Sequence, residues 1–173
     1  MSILNLVYAP ATVLEKKAHE VKNIDKSLKS FVNNMFDTMY KNNGVGLAAP
    51  QVNESLQVIV MDCSSKNKES NPRVLLNPKI INQSDTCKEY EEGCLSFPDH
   101  YFSISRPDSL NVKFLDLEGN KKETFFSGFE AVCVQHEIDH LSGTLFTSYI
   151  SRLKRQIILK KIQKFKKNIN KSI

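Results

Sequence analysis

The sequence predicts an α+β fold, with small antiparallel or mixed sheets packed around a central helix and a further helix at the C-terminus. Three observations predict this class: an amphipathic helix comes first, short strands follow, and helical patterns close the chain. The chain has 173 residues, of which 40% are hydrophobic and 25% charged. This size and composition predict a single domain over residues 1–173.

The first element is a helix that ends near Asn43-Gly44, a pair typical of a helix end. Apolar residues recur before it at three- and four-residue steps, which predicts one buried face. The helix leads the chain into the segment Gly44–Gln51, where composition alone favours a loop. The apolar face consists of Ile24, Leu28, Phe31, Val32, Met35, Phe36 and Met39.

Short strands are predicted next, because β-branched and apolar residues are concentrated in short runs. The first two are Gln57–Met61 and Arg73–Leu76. A hairpin is predicted from Ser109 to Phe126, with its turn at Glu118-Gly119-Asn120.

A second helix is predicted to begin at Ser127 and to stop at Gly143. Ser127 and Glu130 have the spacing of a capping box, in which each side chain bonds the backbone near the other residue. Residues three and four apart on this helix form a stripe that faces inward. The stripe consists of Phe129, Val132, Cys133, His136 and His140.

The stretch from His136 to His140 carries the strongest chemical signal in the chain. Two imidazoles four residues apart on a helix point the same way and can bind one metal ion. Glu137 lies between them and can act on a water at that ion. The predicted central helix is therefore a metal-binding helix.

A catalytic metal site of this kind normally takes three protein ligands, so a third must be found. One class of metallopeptidase uses a downstream carboxylate, but no Asp or Glu follows Asp139. Another class places a third histidine six residues after the second, where this chain has Phe146. The third ligand must therefore lie upstream. The candidates are His19, His100, Cys63, Cys87, Cys94 and an acidic residue, with Cys133 one turn before His136 on the same helix.

Cys94 is the best candidate, because Gly93 lets the backbone turn tightly and bring a thiolate close to a metal. The remaining cysteines, Cys63, Cys87 and Cys133, are interpreted as small buried hydrophobic residues. The four cysteines lack the spacing of a disulfide framework or a cysteine-rich zinc module.

Three segments together resemble the peptide deformylase family, which carries three short motifs in this order. They are Gly44–Gln51, Glu92–Ser96 and Gln135–Gly143. The predicted helices on either side also look like the family, so the resemblance covers nearly the whole chain. The absence of a long insertion between the motifs is similar to the common bacterial type.

The resemblance implies a metal-dependent hydrolase that removes the N-formyl group from the N-terminal formylmethionine of new polypeptides and releases formate. It implies that Cys94, His136 and His140 hold one divalent metal ion, with Fe²⁺ expected and Zn²⁺, Ni²⁺ or Co²⁺ able to substitute. Glu137 would be the general acid-base group. The Gln51 amide and the Leu95 backbone N–H would stabilise the oxyanion.

The resemblance also implies which residues bind the formylmethionyl peptide. The substrate backbone would pair with the first motif like an added strand, with Gly46 as a contact. The implied substrate-binding residues are Val45, Gly46, Glu92, Gly93, Phe129, Val132 and Cys133. The alternative for Val45, Phe129, Val132 and Cys133 is that these side chains only pack in the hydrophobic core.

Near the ligand cysteine, this chain departs from the family pattern at one position and matches it at another. Many bacterial members have an arginine seven residues beyond it, where this chain has Tyr101. Any substrate contact made by that arginine is therefore in doubt. Arg106 matches a recurrent family arginine, and we expect it to pair with a carboxylate such as Asp139 and so support the site.

The charge is unevenly distributed along the chain. Residues 152–173 hold nine Lys or Arg and no acidic residue, although the whole chain has a net charge of only +5. Apolar residues are interleaved with these cations, which predicts a basic amphipathic helix at about 150–170. The resemblance implies ribosome contact through this helix, and no DNA. The alternative is a solvated helix that packs its apolar face on the domain. The interleaved residues are Leu153, Ile157, Ile158, Ile162, Phe165 and Ile169.

Membrane insertion and export are not predicted. No apolar run is long enough to span a bilayer, and the N-terminus lacks the pattern of a signal peptide. A cytoplasmic protein is therefore expected, in keeping with a reduced ligand thiolate. Two other functions remain open: a different hydrolase with the same metal site, and a non-catalytic binding protein with a structural metal.

Overall fold

The computed structural model describes residues 2–64 and 69–169. Helices and antiparallel strands combine in an α+β arrangement, which confirms the predicted class. The helices are α1 (Lys26–Lys41), α2 (Gly128–Ser142) and α3 (Arg152–Ile169). The strands are β1 (Gly46–Ala48), β2 (Val58–Met61), β3 (Arg73–Gln83), β4 (Cys87–Cys94), β5 (Phe97–Pro107), β6 (Ser109–Leu115) and β7 (Lys121–Ser127).

The strands form two sheets. A five-stranded sheet has the order β1-β2-β3-β6-β7, and a separate two-stranded sheet pairs β4 with β5. Neighbouring strands are antiparallel in both sheets. The short strand β1 therefore lies at an edge of the larger sheet, and this edge position becomes important at the functional site.

Helix α1 has the amphipathic face that its sequence predicts. Asp25 precedes the helix, and its carboxylate accepts a hydrogen bond from the Leu28 backbone N–H at 2.8 Å. The buried face packs against the apolar side chains of β1 and β2. Because α1 ends at Lys41, it delivers the chain directly to Gly44 and β1. The buried residues of α1 are Leu28, Val32, Met35, Thr38 and Met39.

Helix α2 is the central helix, and most of its residues are buried. Ala131, Val134 and Leu141 join the core formed with β2, β3, β6 and β7. The helix ends at Gly143, whose φ of 75° is the left-handed conformation typical of this position. Both predicted ends are therefore confirmed, and α2 is a rigid support for its two histidines.

The predicted capping box at the start of α2 is wrong. Ser127 precedes the helix, but its side chain makes no capping hydrogen bond. Ser127 is still paired with Ser109 in the sheet, and Gly128 has a φ of 57°. This conformation changes the direction of the chain at the first helical residue, so the serine hydroxyl does not reach the N–H groups of the first turn.

The strand predictions were incomplete. Strand β3 continues to Gln83 instead of ending at Leu76, and the hairpin of β4 and β5 was not predicted. Half of the residues of β4 are exposed and the strand is rich in charged residues, so it lacks the apolar alternation that marks a strand. The predicted hairpin of β6 and β7 is confirmed, with its turn at Gly119.

Helix α3 lies against the body of the domain through one apolar side. Ile158 and Ile162 are buried with Leu14 and Phe146. The predicted helix is confirmed as far as Ile169, whereas Asn170 lies outside the described residues. Over the described ranges, no helix combines the length and apolar character that a membrane span requires.

The two helix starts give a testable contrast in stability. We expect Asp25→Ala to lower the free energy of unfolding by about 1 kcal/mol, because it removes a capping acceptor from α1. The control, Ser127→Ala, should change the free energy of unfolding by only a few tenths of a kcal/mol, since Ser127 makes no capping bond. Urea unfolding measures both, and equal losses would contradict the assigned caps.

Candidate metal centre

Cys94, His136 and His140 converge at one point between the two sheets. One ligand atom of each residue lies within 4.8 Å of those of the other two. The Cys94 Sγ and His140 Nε2 atoms are 3.3 Å apart, and the two imidazole centroids are 5.0 Å apart. Cys94 ends β4, whereas both histidines lie on α2. The structure therefore brings together the three residues that the sequence nominated.

The other candidates for the third ligand are not in this group. Among the described residues, His19 bridges to Leu56, and His100 Nδ1 lies 2.7 Å from the Pro98 carbonyl oxygen. Of the remaining cysteines, Cys133 is buried and Cys63 is half-buried, but Cys87 is exposed. The interpretation of Cys87 as a buried hydrophobic residue is wrong, because β4 carries it at the outer end of the hairpin.

A buried carboxylate orients His136. His136 Nδ1 lies 2.8 Å from Glu92 Oε2, which leaves the Nε2 atom of the ring for a metal. Arg106 pairs with Glu92 through its Nε and Nη2 atoms, and its Nη1 donates to Asp139 at 2.9 Å. The expected pairing of Arg106 with Asp139 is thus present, and Tyr149 adds a hydroxyl donor to Asp139 at 2.9 Å.

These contacts determine the ionisation of the buried groups. Burial opposes the charge on Glu92, yet the bonds from His136 and Arg106 hold its pKa below the usual value. Burial likewise opposes protonation of His136, but Cys94 and Glu92 raise its pKa. Burial lowers the pKa of His140. The pKa values of the two histidines therefore shift in opposite directions, because Cys94 and Glu92 favour the charged form of His136, whereas burial and the neighbouring charges disfavour that of His140.

Glu137 lies beside the three candidate ligands and is almost fully buried. Burial raises the pKa of its carboxyl to about 7. Its Oε2 atom has no hydrogen-bond partner among the described residues. A buried oxygen of this kind requires a polar partner, which a water or a substrate group could supply.

The donor set fits a divalent transition metal. One thiolate and two imidazoles are the ligand types that zinc and iron accept, and three ligands leave an open coordination position. The unpartnered Glu137 oxygen points to a polar occupant beside that position. The geometry can therefore support a metal-dependent hydrolysis.

Gln51 is placed by a short 3-10 turn, Ala49–Val52, directly after β1. Its Oε1 atom accepts from the Ala48 N–H at 2.8 Å. Its Nε2 atom lies 3.5 Å from Cys94 Sγ and 3.4 Å from Ser96 Oγ. The Gln51 N–H groups are therefore directed towards the ligand cluster. Sequence reasoning missed Ser96 and Tyr149 as partners of the site, since neither has a spacing that marks a role.

A cleft of about 560 Å³ opens above the cluster. Its walls include the segment Gly44–Gly46, which leads into β1, and residues of the β4–β5 hairpin. A side chain at Gly46 would place its Cβ 2.6 Å from Glu137 Oε1 and 2.8 Å from Cys133 Sγ, so any larger residue there would displace Glu137 or Cys133. All the predicted substrate-binding residues line this cleft, namely Val45, Gly46, Glu92, Gly93, Phe129, Val132 and Cys133, together with Gln51 and Leu95.

Glu92 differs from the other predicted substrate-binding residues in how its side chain is used. Its carboxylate is nearly inaccessible and is held by His136 and Arg106. The geometry therefore supports a positioning role for Glu92 within the wall of the cleft. Leu6, Tyr8 and His100 also line the cleft, and none of the three was predicted to bind the substrate.

Comparison with known proteins gives consistent results at the level of the whole chain. The family model described as Polypeptide deformylase matches residues 3–156. A peptide deformylase of Maricaulis maris is 44% identical over 168 residues, which cover 97% of each chain.

Solved structures agree with this family. Peptide deformylase from Ehrlichia chaffeensis superposes with a TM-score of 0.92 at 36% identity, covering 96% of this chain and 98% of that one. The enzyme from Legionella pneumophila gives a TM-score of 0.90 at 43% identity, covering 98% of both chains. Because the family model, the relatives and the fold all agree over nearly the full length, the chain belongs to the polypeptide deformylase family.

Proposed function

We propose that this chain removes the N-formyl group from the formylmethionine of new polypeptides and releases formate. The carrying observation is the cluster of Cys94, His136 and His140 with the unpartnered Glu137 carboxylate beside it, at the base of an open cleft. The reaction is inferred from membership of the family, and the site contains the groups that this reaction requires.

The peptide substrate binds by adding a strand at the edge of the larger sheet. Strand β1 is the terminal strand of that sheet, and its first residue, Gly46, lines the cleft. Glycine at position 46 lets the substrate backbone approach Glu137 closely. The methionine side chain then points towards α2, where Phe129, Val132 and Cys133 offer an apolar wall opposite Val45.

Glu137 handles the protons of the reaction. With a pKa of about 7, its carboxyl can take a proton from the attacking water and later give one to the departing amine. The Gln51 amide and the Leu95 backbone N–H are proposed to donate to the negative charge that develops on the formyl oxygen when water attacks the formyl carbon. A metal held by Cys94, His136 and His140 would act as a Lewis acid and lower the pKa of water.

We propose Fe²⁺ as the metal of the native enzyme, with Zn²⁺, Ni²⁺ or Co²⁺ able to replace it. A thiolate with two imidazoles accepts all four ions, so availability contributes to selection. A ligand thiolate and Fe²⁺ both require reducing conditions, and nascent chains are made in the cytoplasm, where we place this protein. Anaerobic purification followed by metal analysis would test both the ion and its stoichiometry.

Two rival functions are separated by simple assays. A different hydrolase with this metal site would cleave free peptides as well as formylated ones, whereas a deformylase releases formate only from formylated peptides. A non-catalytic metal protein would release none. Formate release from formyl-methionyl peptides, compared with cleavage of the same peptides lacking the formyl group, therefore tests the proposal.

We expect Glu137→Gln to lower kcat by at least about 100-fold while leaving the metal content unchanged. The amide retains the size of the side chain but cannot accept the proton of the attacking water. Formate release and metal analysis on the same samples check both parts. A fully active variant would contradict the proton-transfer role, and loss of the metal would instead indicate that Glu137 is a ligand.

Arg106→Ala tests the positioning network. We expect metal affinity to fall about 10- to 100-fold, because Glu92 loses its guanidinium partner and holds His136 less firmly. Arg106→Lys retains the charge without the two-pronged contact and should have an intermediate effect. Competition with a chelator measures the affinity. Wild-type metal affinity and stability in Arg106→Ala would remove this role.

We also propose that α3 contacts ribosomal RNA. Leu14 and Phe146 cover its buried side, and Arg155 and Lys166 contact Glu15 and the Tyr8 carbonyl. The remaining cations point to solvent on the outer side, which gives a surface suited to phosphate groups. These exposed residues are Arg152, Lys154, Lys160, Lys161, Lys164 and Lys167.

Charge removal on α3 tests this contact without disturbing its packing. Replacing Lys160, Lys161, Lys164 and Lys167 by Gln should weaken ribosome association, more at low salt than at high salt. The control carries four exposed lysines replaced by Gln on the larger sheet: Lys79, Lys113, Lys121 and Lys122. Co-sedimentation with ribosomes measures binding. Equal effects of the two variants would contradict a specific role of α3.

A further inference from the structure

We propose that Tyr101 and Glu91 form a subsite for a basic side chain, carried by the residue that follows formylmethionine in the substrate. The inference rests on the proposed deformylase function and names a preference within it. It is drawn from the charge of the cleft, the exposure of Tyr101 and the alternation of side chains along a bound strand.

The cleft has the opposite sign of charge from the protein as a whole. The chain has a net charge of +5, yet no Lys or Arg occurs among the described residues that line the cleft. Four carboxylates line it: Glu91, Glu92, Asp99 and Glu137. Arg106 neutralises only Glu92. Away from the proposed metal at its base, the cleft therefore presents Glu91 and Asp99 to a bound peptide without a Lys or Arg side chain.

Tyr101 forms a flat aromatic surface at the mouth of this cleft. It pairs with Gly93 across the β4–β5 hairpin, and a Cβ at Gly93 would lie 2.5 Å from Tyr101 Cε1, so the ring lies directly over that glycine. The side chain is 63% exposed although it packs against the hairpin backbone. A large aromatic surface thus remains available inside the substrate cleft.

Glu91 lies on the same face of the hairpin as Tyr101. Residues alternate along β4: Glu92 faces α2 and is buried, whereas Glu91 and Gly93 face away from α2. Within the described part of the chain, Glu91 has no ion pair or hydrogen bond to a side chain. The Tyr101 ring and the Glu91 carboxylate therefore offer two contacts to one cationic group.

The alternation of a bound strand determines which substrate residue faces this surface. The methionine side chain points towards α2 and its apolar wall of Phe129 and Val132. Successive side chains of an extended peptide point to opposite sides. The side chain of the second residue therefore points away from α2, to the side where Tyr101 and Glu91 lie.

A lysine or arginine at that second position can contact both the Tyr101 ring and the Glu91 carboxylate. Its cation can lie over the Tyr101 ring, an arrangement favourable at exposed sites, and pair with the Glu91 carboxylate. An acidic side chain there would meet Glu91 and Asp99 with like charge. Both partners are exposed, so each contact is worth only a few-fold in rate and is weakened by salt.

The test measures kcat/KM for three formyl-methionyl tripeptides that differ only in the second residue: Lys, Gln or Glu. Formate release gives the rates. We expect the Lys peptide to exceed the Glu peptide by about tenfold at low salt, with Gln between them, and the ratio to shrink at about 0.5 M salt. Glu91→Gln and Tyr101→Leu should each reduce this ratio to about threefold, whereas Tyr101→Phe, which retains the ring, should preserve it.

The matched control is Glu89→Gln, which removes the same charge two residues earlier on β4, outside the cleft. It should leave the Lys-to-Glu ratio unchanged. Equal rates for the three peptides, or a ratio that both Glu91→Gln and Tyr101→Leu leave intact, would overturn the subsite. If Glu89→Gln reduced the ratio as much as Glu91→Gln, the preference would come from the overall negative charge of the hairpin, and the subsite would be overturned. Failure to release formate from any of the peptides would instead contradict the deformylase function.

Discussion

The site depends on one buried carboxylate, that of Glu92. It joins three elements, because it lies on β4, accepts from Arg106 on β5 and holds His136 on α2. An ionised carboxylate with so little access to water is tolerable only when its oxygens are fully paired. The same contacts that stabilise this charge also fix the ring of a metal ligand, so stability and function are coupled at this residue.

The architecture places two different surfaces on either side of α2. The larger sheet contributes an open strand edge at β1, and the hairpin of β4 and β5 contributes Cys94 at its end. Neither sheet alone contains a complete site. Because α2 packs against both, its two histidines meet the cysteine of one sheet beside the substrate edge of the other.

The sequence predicted the parts of this site that follow a local rule. The spacing of His136, Glu137 and His140 requires only helical geometry, and Gly143 marks the end of that helix. The hairpin that carries Cys94 was not predicted, since its exposed strands lack apolar alternation. The resemblance supplied two non-local contacts, Cys94 with the histidines and Arg106 with Asp139. The Glu92 bond to His136 was not predicted, because it joins residues 44 positions apart and no local pattern encodes it.

Strand β1 has a consequence for when the enzyme can act. It is only three residues long, all three are buried, and its first residue, Gly46, lines the open cleft. A chain that adds to this edge must offer free backbone N–H and C=O groups, which a strand already paired on both sides in a folded sheet lacks. On the proposed strand-addition mode, the enzyme therefore acts on polypeptides whose first residues have not yet folded, so that maturation of the N-terminus precedes compaction of its surroundings.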